Sequence, residues 1–143
     1  MRDFPICFLC KMLQILFPVW LYTIPPQLPA VCVFRQTYAA SYILRALGDY
    51  RRFAELDVRF HSLLSRATGN QVAMIVTDVL GQVEQHTLLK KMETLNDSAC
   101  LALERRILAR HREILSAIHR QDDAAAKQAM REHTRAAATD LKV

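Results

Sequence analysis

Four side chains in the second half of this 143-residue chain could together bind a divalent metal ion. Asp57 and His61 are four residues apart, and residues at that spacing are neighbours on one face of an α-helix. His111 and His133 lie in later segments, each in register with apolar residues of its own segment. Three imidazoles and one carboxylate suit Zn²⁺, and also Ni²⁺, Mn²⁺ or Fe²⁺. The spacing therefore predicts one metal site, provided that the segments meet in the folded chain.

The four side chains are expected to point towards the protein interior. Asp57 and His61 flank an apolar stripe that contains Phe53, Phe60 and Leu64. A buried charged group without a partner costs roughly several kcal/mol, so these side chains need something to satisfy them. A metal ion would satisfy all four at once. The alternative is a scaffold protein in which separate core histidines bond to backbone carbonyls, and elemental analysis of the purified protein distinguishes the two.

The two remaining histidines are weaker candidates. His86 continues the helical face of Val79 and Val83, so it is a further candidate for contact with a bound ligand in the same cavity. His119 follows Ile118 near the predicted end of a helix and is expected to be exposed.

The segments that carry these residues have the apolar periodicity of α-helices. Polar caps and glycines predict where the helices begin and end. The predicted helices span 38–47, a segment from the Asp49 cap to the Gly69 stop, a segment from the Asn70 cap to Met92, a long segment after the break at 96–98, and 124–141 after the break at 121–123. No alternating β-branched run or hairpin turn follows residue 35. We therefore expect an all-α, antiparallel helical bundle.

The composition of the chain changes near residue 35. All five prolines precede it and all three glycines follow it. The division predicts an atypical apolar, Pro-rich segment at 1–35, outside the core, and a helical ligand-binding domain at 36–143. The longest apolar run, 12–24, is shorter than the roughly 20 residues of a membrane span, so no membrane partner is expected. A signal peptide, a misassigned start and an out-of-frame remnant remain alternatives for this segment.

Charge and cysteine content narrow the functional classes. The net charge is +5, but basic and acidic residues are interspersed in the second half, as on a solvated surface rather than a nucleic-acid interface. Cys7 and Cys10 form a single Cys-x-x-Cys pair with no second pair at zinc-ribbon spacing. Four cysteines with this distribution form no small disulfide framework, and we expect a cytoplasmic protein.

Several stretches together resemble a known family. Residues 57–61 match D-x-x-F-H, residues 67–70 match A-S-G-N with one change, residues 111–118 match H-x-x-I-x-x-A-I, and residues 130–133 match a closing M-x-x-H. In this combination, over about residues 44–143, the chain resembles the C-terminal effector-binding (FCD) domains of the FadR subfamily of GntR-type transcription regulators.

The resemblance implies both a site and a function. In that family the matching positions, here Asp57, His61, His111 and His133, bind a metal at the floor of a cavity for a small carboxylate effector. A bacterial regulator's sensing domain is therefore expected, not an enzyme. Full members begin with a winged helix-turn-helix domain, which residues 1–43 do not resemble, so we expect DNA binding only through a domain missing here. The oligomeric state stays open, with a homodimer among the options.

Two other functions remain. Three histidines and one aspartate with open metal positions could activate water in a hydrolase-like enzyme. The carboxylates that could act as its base, Glu104, Glu113 and Glu132, are each expected to face solvent by helical phase. The second is a non-functional relic of a regulator, with one wall of the effector cavity lost.

Overall fold

The computed structural model describes residues 49–141, which form four α-helices: α1 (Tyr50–Ala67), α2 (Gln71–Glu93), α3 (Asp97–His119) and α4 (Asp123–Asp140). No strand occurs within these residues, which confirms the all-α prediction. Short connections join consecutive helices, and α1 packs on α2 as α3 packs on α4, in two antiparallel pairs. The predicted helix at 38–47 and the segment at 1–35 lie outside the described residues. No helix within 49–141 is long and apolar enough to cross a membrane.

Each helix begins at a side chain that accepts a hydrogen bond from a backbone N–H of the first turn. The caps are Asp49, Asn70, Asn96 and Asp122, with donor–acceptor distances of 2.9, 3.1, 2.9 and 3.0 Å. Such caps satisfy amide groups that have no partner within the helix. Gly69 ends α1 with a φ of 67°, a left-handed conformation that favours glycine. The predicted caps are therefore confirmed. The bounds differ slightly: α2 ends at Glu93 instead of Met92, α3 begins at Asp97 inside the predicted break, and α4 begins and ends one residue earlier than expected.

Two apolar clusters form the core. The first apolar cluster consists of Phe53, Ala54, Leu88, Met92, Cys100, Leu103, Ile107, Leu108 and Leu141. The second apolar cluster consists of Phe60, Leu64, Ala73, Ile114 and Met130. Because the helices alternate in direction, α1 and α3 pass from the first cluster to the second along the chain, and α2 and the α4 segment pass from the second to the first. The middle of each helix therefore passes through a layer between the clusters.

The orientation of α2 differs from the sequence prediction. Its apolar row Val72, Ile75, Val79 and Val83 is 63%, 65%, 59% and 39% exposed, so this face points away from the core. The reason is that α2 is apolar on most of its circumference, and periodicity alone therefore did not identify the inner face. We name these four residues the exposed valine row, after its commonest residue.

Small side chains determine which face of α2 is buried. Ala73, Thr77 and Gly81 follow one another at intervals of four and are all buried. A Cβ atom on Gly81 would lie 2.7 Å from Cγ1 of Val58, closer than packed carbons approach. Glycine at this position lets α1 and α2 pack at short distance. The close contact brings the middle of α2 next to the residues of α1 that the sequence singled out.

Candidate metal centre

The four predicted ligands meet in the layer between the two apolar clusters. Asp57 and His61 come from α1, His111 from α3 and His133 from α4. Their side chains are buried, with exposures of 6%, 7%, 3% and 3%. Along the chain, each of the four lies between a residue of one cluster and a residue of the other. The helix packing that forms the core therefore also brings the four side chains together.

The distances between the polar atoms are compatible with ligands around one ion. Nε2 of His61 lies 3.1 Å from Nε2 of His133, and Oδ1 of Asp57 lies 3.4 Å from Nε2 of His111. One potential ligand atom from each of the three histidines lies within 4.8 Å of the others. With metal–ligand bonds of about 2.1 Å, neighbouring ligands are about 3.0 Å apart in an octahedral site and about 3.4 Å apart in a tetrahedral one. Both measured separations fall in this range.

Ring packing holds the imidazoles in place. Phe60 stacks on His111 with the ring centroids 3.9 Å apart and the planes 18° apart. The ring of His61 stands nearly perpendicular to that of His111, at a centroid distance of 5.3 Å. The phenylalanine thus covers one face of His111 and leaves its ring edge directed at the other ligands.

Burial keeps the three histidines neutral. It lowers the pKa values of His61, His111 and His133 from the ordinary value of 6.5, most strongly for the last two. Neighbouring imidazoles and the positive charge of Arg110 lower the pKa values of His111 and His133 further. Neutral imidazole is the form that binds a metal. The site therefore presents its nitrogen ligands ready for a cation at neutral pH.

The carboxyl group of Asp57 is affected in the opposite direction. Burial raises its pKa well above the usual value, Glu84 raises it further, and Arg110 counteracts part of the shift. Arg110 is itself held by Asp140, with Nη2 and Oδ2 2.5 Å apart. Because Arg110 is paired with Asp140, its positive charge stabilises the Asp57 carboxylate less than a cation bound directly to that carboxylate would. The carboxylate form needs a positive charge that the described residues do not place next to it.

Unsatisfied polar atoms point to the same need. Oδ1 of Asp57, Nε2 of His111 and Nδ1 of His133 are buried and have no hydrogen-bond partner among the described residues. Buried polar atoms are almost always paired, because an unpaired one costs about 1–3 kcal/mol. A divalent cation satisfies the first two atoms directly. The residues present therefore fit a metal ion.

The structure does not bring the other two histidines to this centre. His86 is exposed, on the side of α2 that carries Val79 and Val83. Both valines of this face are exposed, so contact of His86 with a bound ligand stays a prediction. His119 is exposed at the end of α3, as predicted.

The three glutamates considered as bases behave differently from one another. Glu113 and Glu132 are exposed, as expected. Glu104 is only 1% exposed, so its predicted solvent-facing position is wrong. Glu104 precedes His111 by seven residues, two helical turns, and shares its inward face. The error came from treating a charged side chain as outward, although its spacing from Leu108 and His111 indicated the opposite.

The sequence reasoning missed one residue next to the site, Glu84 of α2. Glu84 is half-buried, and its carboxylate and the ligand atoms of Asp57 and His61 all lie within 4.8 Å of one another. A signal for it exists: Glu84 follows Gly81 by three residues and precedes Leu88 by four, which is the spacing of the buried face of α2.

The comparison with known proteins identifies the family. Neither a curated protein nor a solved structure matches the chain. A family model described as "FCD domain" matches residues 33–136, which is most of the chain. The bundle and the position of its motifs agree with that match. The chain therefore belongs to the FCD domain family, the C-terminal effector-binding domains of GntR/FadR-type regulators.

Proposed function

We propose that this domain senses a small carboxylate-bearing effector through one divalent metal ion held by Asp57, His61, His111 and His133. Zn²⁺ is the first candidate, with Ni²⁺, Mn²⁺ and Fe²⁺ as alternatives, because the ligand set contains mostly imidazole nitrogen. The observation that carries the proposal is the group of four buried side chains from three helices, in which Oδ1 of Asp57 and Nε2 of His111 have no hydrogen-bond partner among the described residues.

The carboxylate class of the effector follows from charge. A divalent cation with neutral histidines and one aspartate has one positive charge left over. In a layer enclosed by two apolar clusters, that charge is poorly solvated and favours an anion. An oxygen of an organic acid can take a position at the ion in place of water.

An enzymatic role has weaker support. A metal-bound water needs a base nearby; the three bases considered from the sequence do not meet this requirement, whereas the carboxylate of Glu84, beside Asp57 and His61, does. Glu113 and Glu132 are exposed, while Glu104 lies two helical turns from His111. The family consists of regulatory ligand-binding domains, which agrees with sensing rather than turnover. A turnover screen with model esters and phosphates tests the hydrolase alternative directly.

A pair of variants on α3 tests the metal proposal. His111→Ala removes a buried metal ligand, and we expect it to weaken Zn²⁺ binding at least about 10-fold. A loss of that size is typical even when the residue removed only hydrogen-bonds to a metal ligand. His119→Ala is the matched control, because it changes the same residue type on the same helix at an exposed position. Calorimetry with the full chain measures both, first with the metal alone and then with acetate and citrate.

Three results have distinct meanings. Weak metal binding by His111→Ala with normal binding by His119→Ala supports the site. Equal affinities of the two variants contradict it. Metal binding without any effect of organic acids contradicts the sensing role and favours a relic that retains only the fold.

Partners and assembly belong to the same proposal. The described helices contain no winged helix-turn-helix domain, so we expect this chain alone to bind DNA weakly and independently of sequence. Tight operator binding at physiological salt would contradict this expectation. We also expect a homodimer, because the exposed valine row presents apolar side chains that a second copy could cover. Sedimentation of a monomer at micromolar concentration would contradict the dimer. We expect the protein to be located in the cytoplasm.

A further inference from the structure

Glu84 places a second carboxylate beside the proposed centre, from the one helix that supplies none of the four ligands. Its ligand atom groups with those of Asp57 and His61 within 4.8 Å, just as those of His61, His111 and His133 group with one another. His61 belongs to both groups, so Glu84 lies beside a residue that the two groups share.

The position of Glu84 suits a group that can both reach the centre and leave it. Asp57 and the three histidines are buried, but Glu84 is half-buried and is the most exposed of the five side chains. Within residues 49–141 it makes no hydrogen bond or ion pair that would hold it elsewhere. A glutamate side chain has three rotatable bonds, so its carboxylate can turn towards solvent without movement of α2.

The charge of the cluster shows what Glu84 would do there. A divalent cation with three neutral histidines and Asp57 carries a net charge of +1, and the Glu84 carboxylate brings the total to zero. A carboxylate effector would bring it to zero in the same way. Both together would leave a net negative group in an apolar layer, which desolvation disfavours.

Resting on the proposed function, we propose that Glu84 is a fifth, internal ligand of the centre and that a small carboxylate effector binds by displacing it. In the absence of effector, Glu84 neutralises the site and closes its solvent side. In the presence of effector, the Glu84 carboxylate turns out to solvent, and α2 loses its bond to a centre otherwise built from α1, α3 and α4. Effector affinity is then set partly by competition within the chain.

Competition makes Glu84→Gln act with opposite signs on two ligands. The variant should bind Mn²⁺ alone at least about 10-fold more weakly, since an anionic ligand is lost. The Mn²⁺-loaded variant should bind acetate at least about 10-fold more tightly, because the competing charge within 4.8 Å is gone. Calorimetry on the full chain measures both affinities, and circular dichroism verifies that the variant is helical.

Two further variants separate a ligand from a nearby charge. Glu93→Gln removes the same charge from the exposed end of α2 and should change neither affinity. Glu84→Asp keeps the charge but shortens the side chain, and should weaken Mn²⁺ binding nearly as much as Glu84→Gln. A Glu84→Asp variant with wild-type Mn²⁺ affinity would overturn the proposal, because the charge alone would then suffice.

The remaining outcomes are also decisive. Unchanged or weaker acetate binding by Glu84→Gln would overturn the competition. Opposite shifts for the two ligands, with Glu93→Gln unchanged, would support it. A wild-type protein that binds no Mn²⁺ or Zn²⁺ at all would instead overturn the proposed function, and loss of the metal in His111→Ala with no effect in Glu84→Gln would leave that function intact while rejecting this inference.

Discussion

Asp57→Asn should change the stability of the domain in opposite directions with and without metal. The substitution keeps the shape of the side chain and removes its charge. Without metal, the raised pKa of Asp57 means that the folded chain disfavours the carboxylate, so at pH 7.5 this group destabilises the fold. With metal, the same carboxylate is the one anion among the four proposed ligands, and its loss weakens binding.

The expected magnitudes follow from these two effects. Replacing an unpaired buried carboxylate by an amide should raise the free energy of unfolding of the metal-free protein by about 1 kcal/mol. Loss of a charged ligand should weaken binding about 100-fold, which removes about 2.7 kcal/mol of stabilisation at saturating metal. The metal-loaded variant should therefore be about 1–2 kcal/mol less stable than the wild type. For a domain of this size, about 1 kcal/mol shifts the melting temperature by about 4–8 °C.

Scanning calorimetry in excess chelator and in excess Zn²⁺ measures both shifts. Asp122→Asn is the matched control, because Asp122 is an exposed cap and asparagine caps a helix equally well. It should change stability by less than about 0.5 kcal/mol in either condition. Shifts of the same sign for Asp57→Asn in chelator and in metal would refute the reasoning, since the site would then be a structural polar cluster that metal does not use.

Two further predictions concern packing and pH. Gly81→Ala should lower the free energy of unfolding by about 1–2 kcal/mol despite alanine's better helix propensity, because its Cβ would lie 2.7 Å from Val58 Cγ1. In a Val58→Ala background, the same change should be neutral or stabilising. Chemical denaturation of the wild type, the two single variants and the double variant tests this. In chelator, the Asp57→Asn protein should lose stability as the pH falls from 6.5 towards 5, because the unfolded histidines take up protons at their ordinary pKa while the folded ones, with lowered pKa values, do not. A flat urea midpoint between pH 7 and 5 would contradict the assigned burial of these imidazoles.

The helix boundaries could be predicted from the sequence because their causes are local. Each cap is one polar side chain that bonds to an amide three residues later, so the cap and its partner are adjacent in the sequence. The end of α1 is also determined locally, by the left-handed backbone conformation of Gly69. Asp57 and His61 could be paired for the same reason, since four residues of α-helix determine their relation whatever else the chain does.

The structural features that the sequence analysis predicted wrongly or missed depend on contacts between helices. The inner face of α2 is determined by how closely α1 approaches Gly81, and no periodicity within α2 contains that information, because its apolar residues lie on most sides. Glu84 was missed with it, since its importance comes from Asp57 and His61 on another helix. The inward orientation of Glu104 could have been read from its seven-residue spacing from His111, had burial of a charge been allowed.

The position of the centre explains why sensing and stability should be linked in this domain. The first and second apolar clusters hold the helix pairs together at either end, but the layer between them contains polar groups, and Oδ1 of Asp57 and Nε2 of His111 lack hydrogen-bond partners among the described residues. Between the clusters, the α1–α2 pair faces the α3–α4 pair through these polar side chains instead of through apolar ones. Asp57 and His61 lie on one pair, and His111 and His133 lie on the other, so a shared cation would join the two pairs between the clusters. A change in the ligands of such a cation would alter a link between the two pairs that adds to the apolar clusters, and a small molecule bound there would therefore change the stability of the whole bundle.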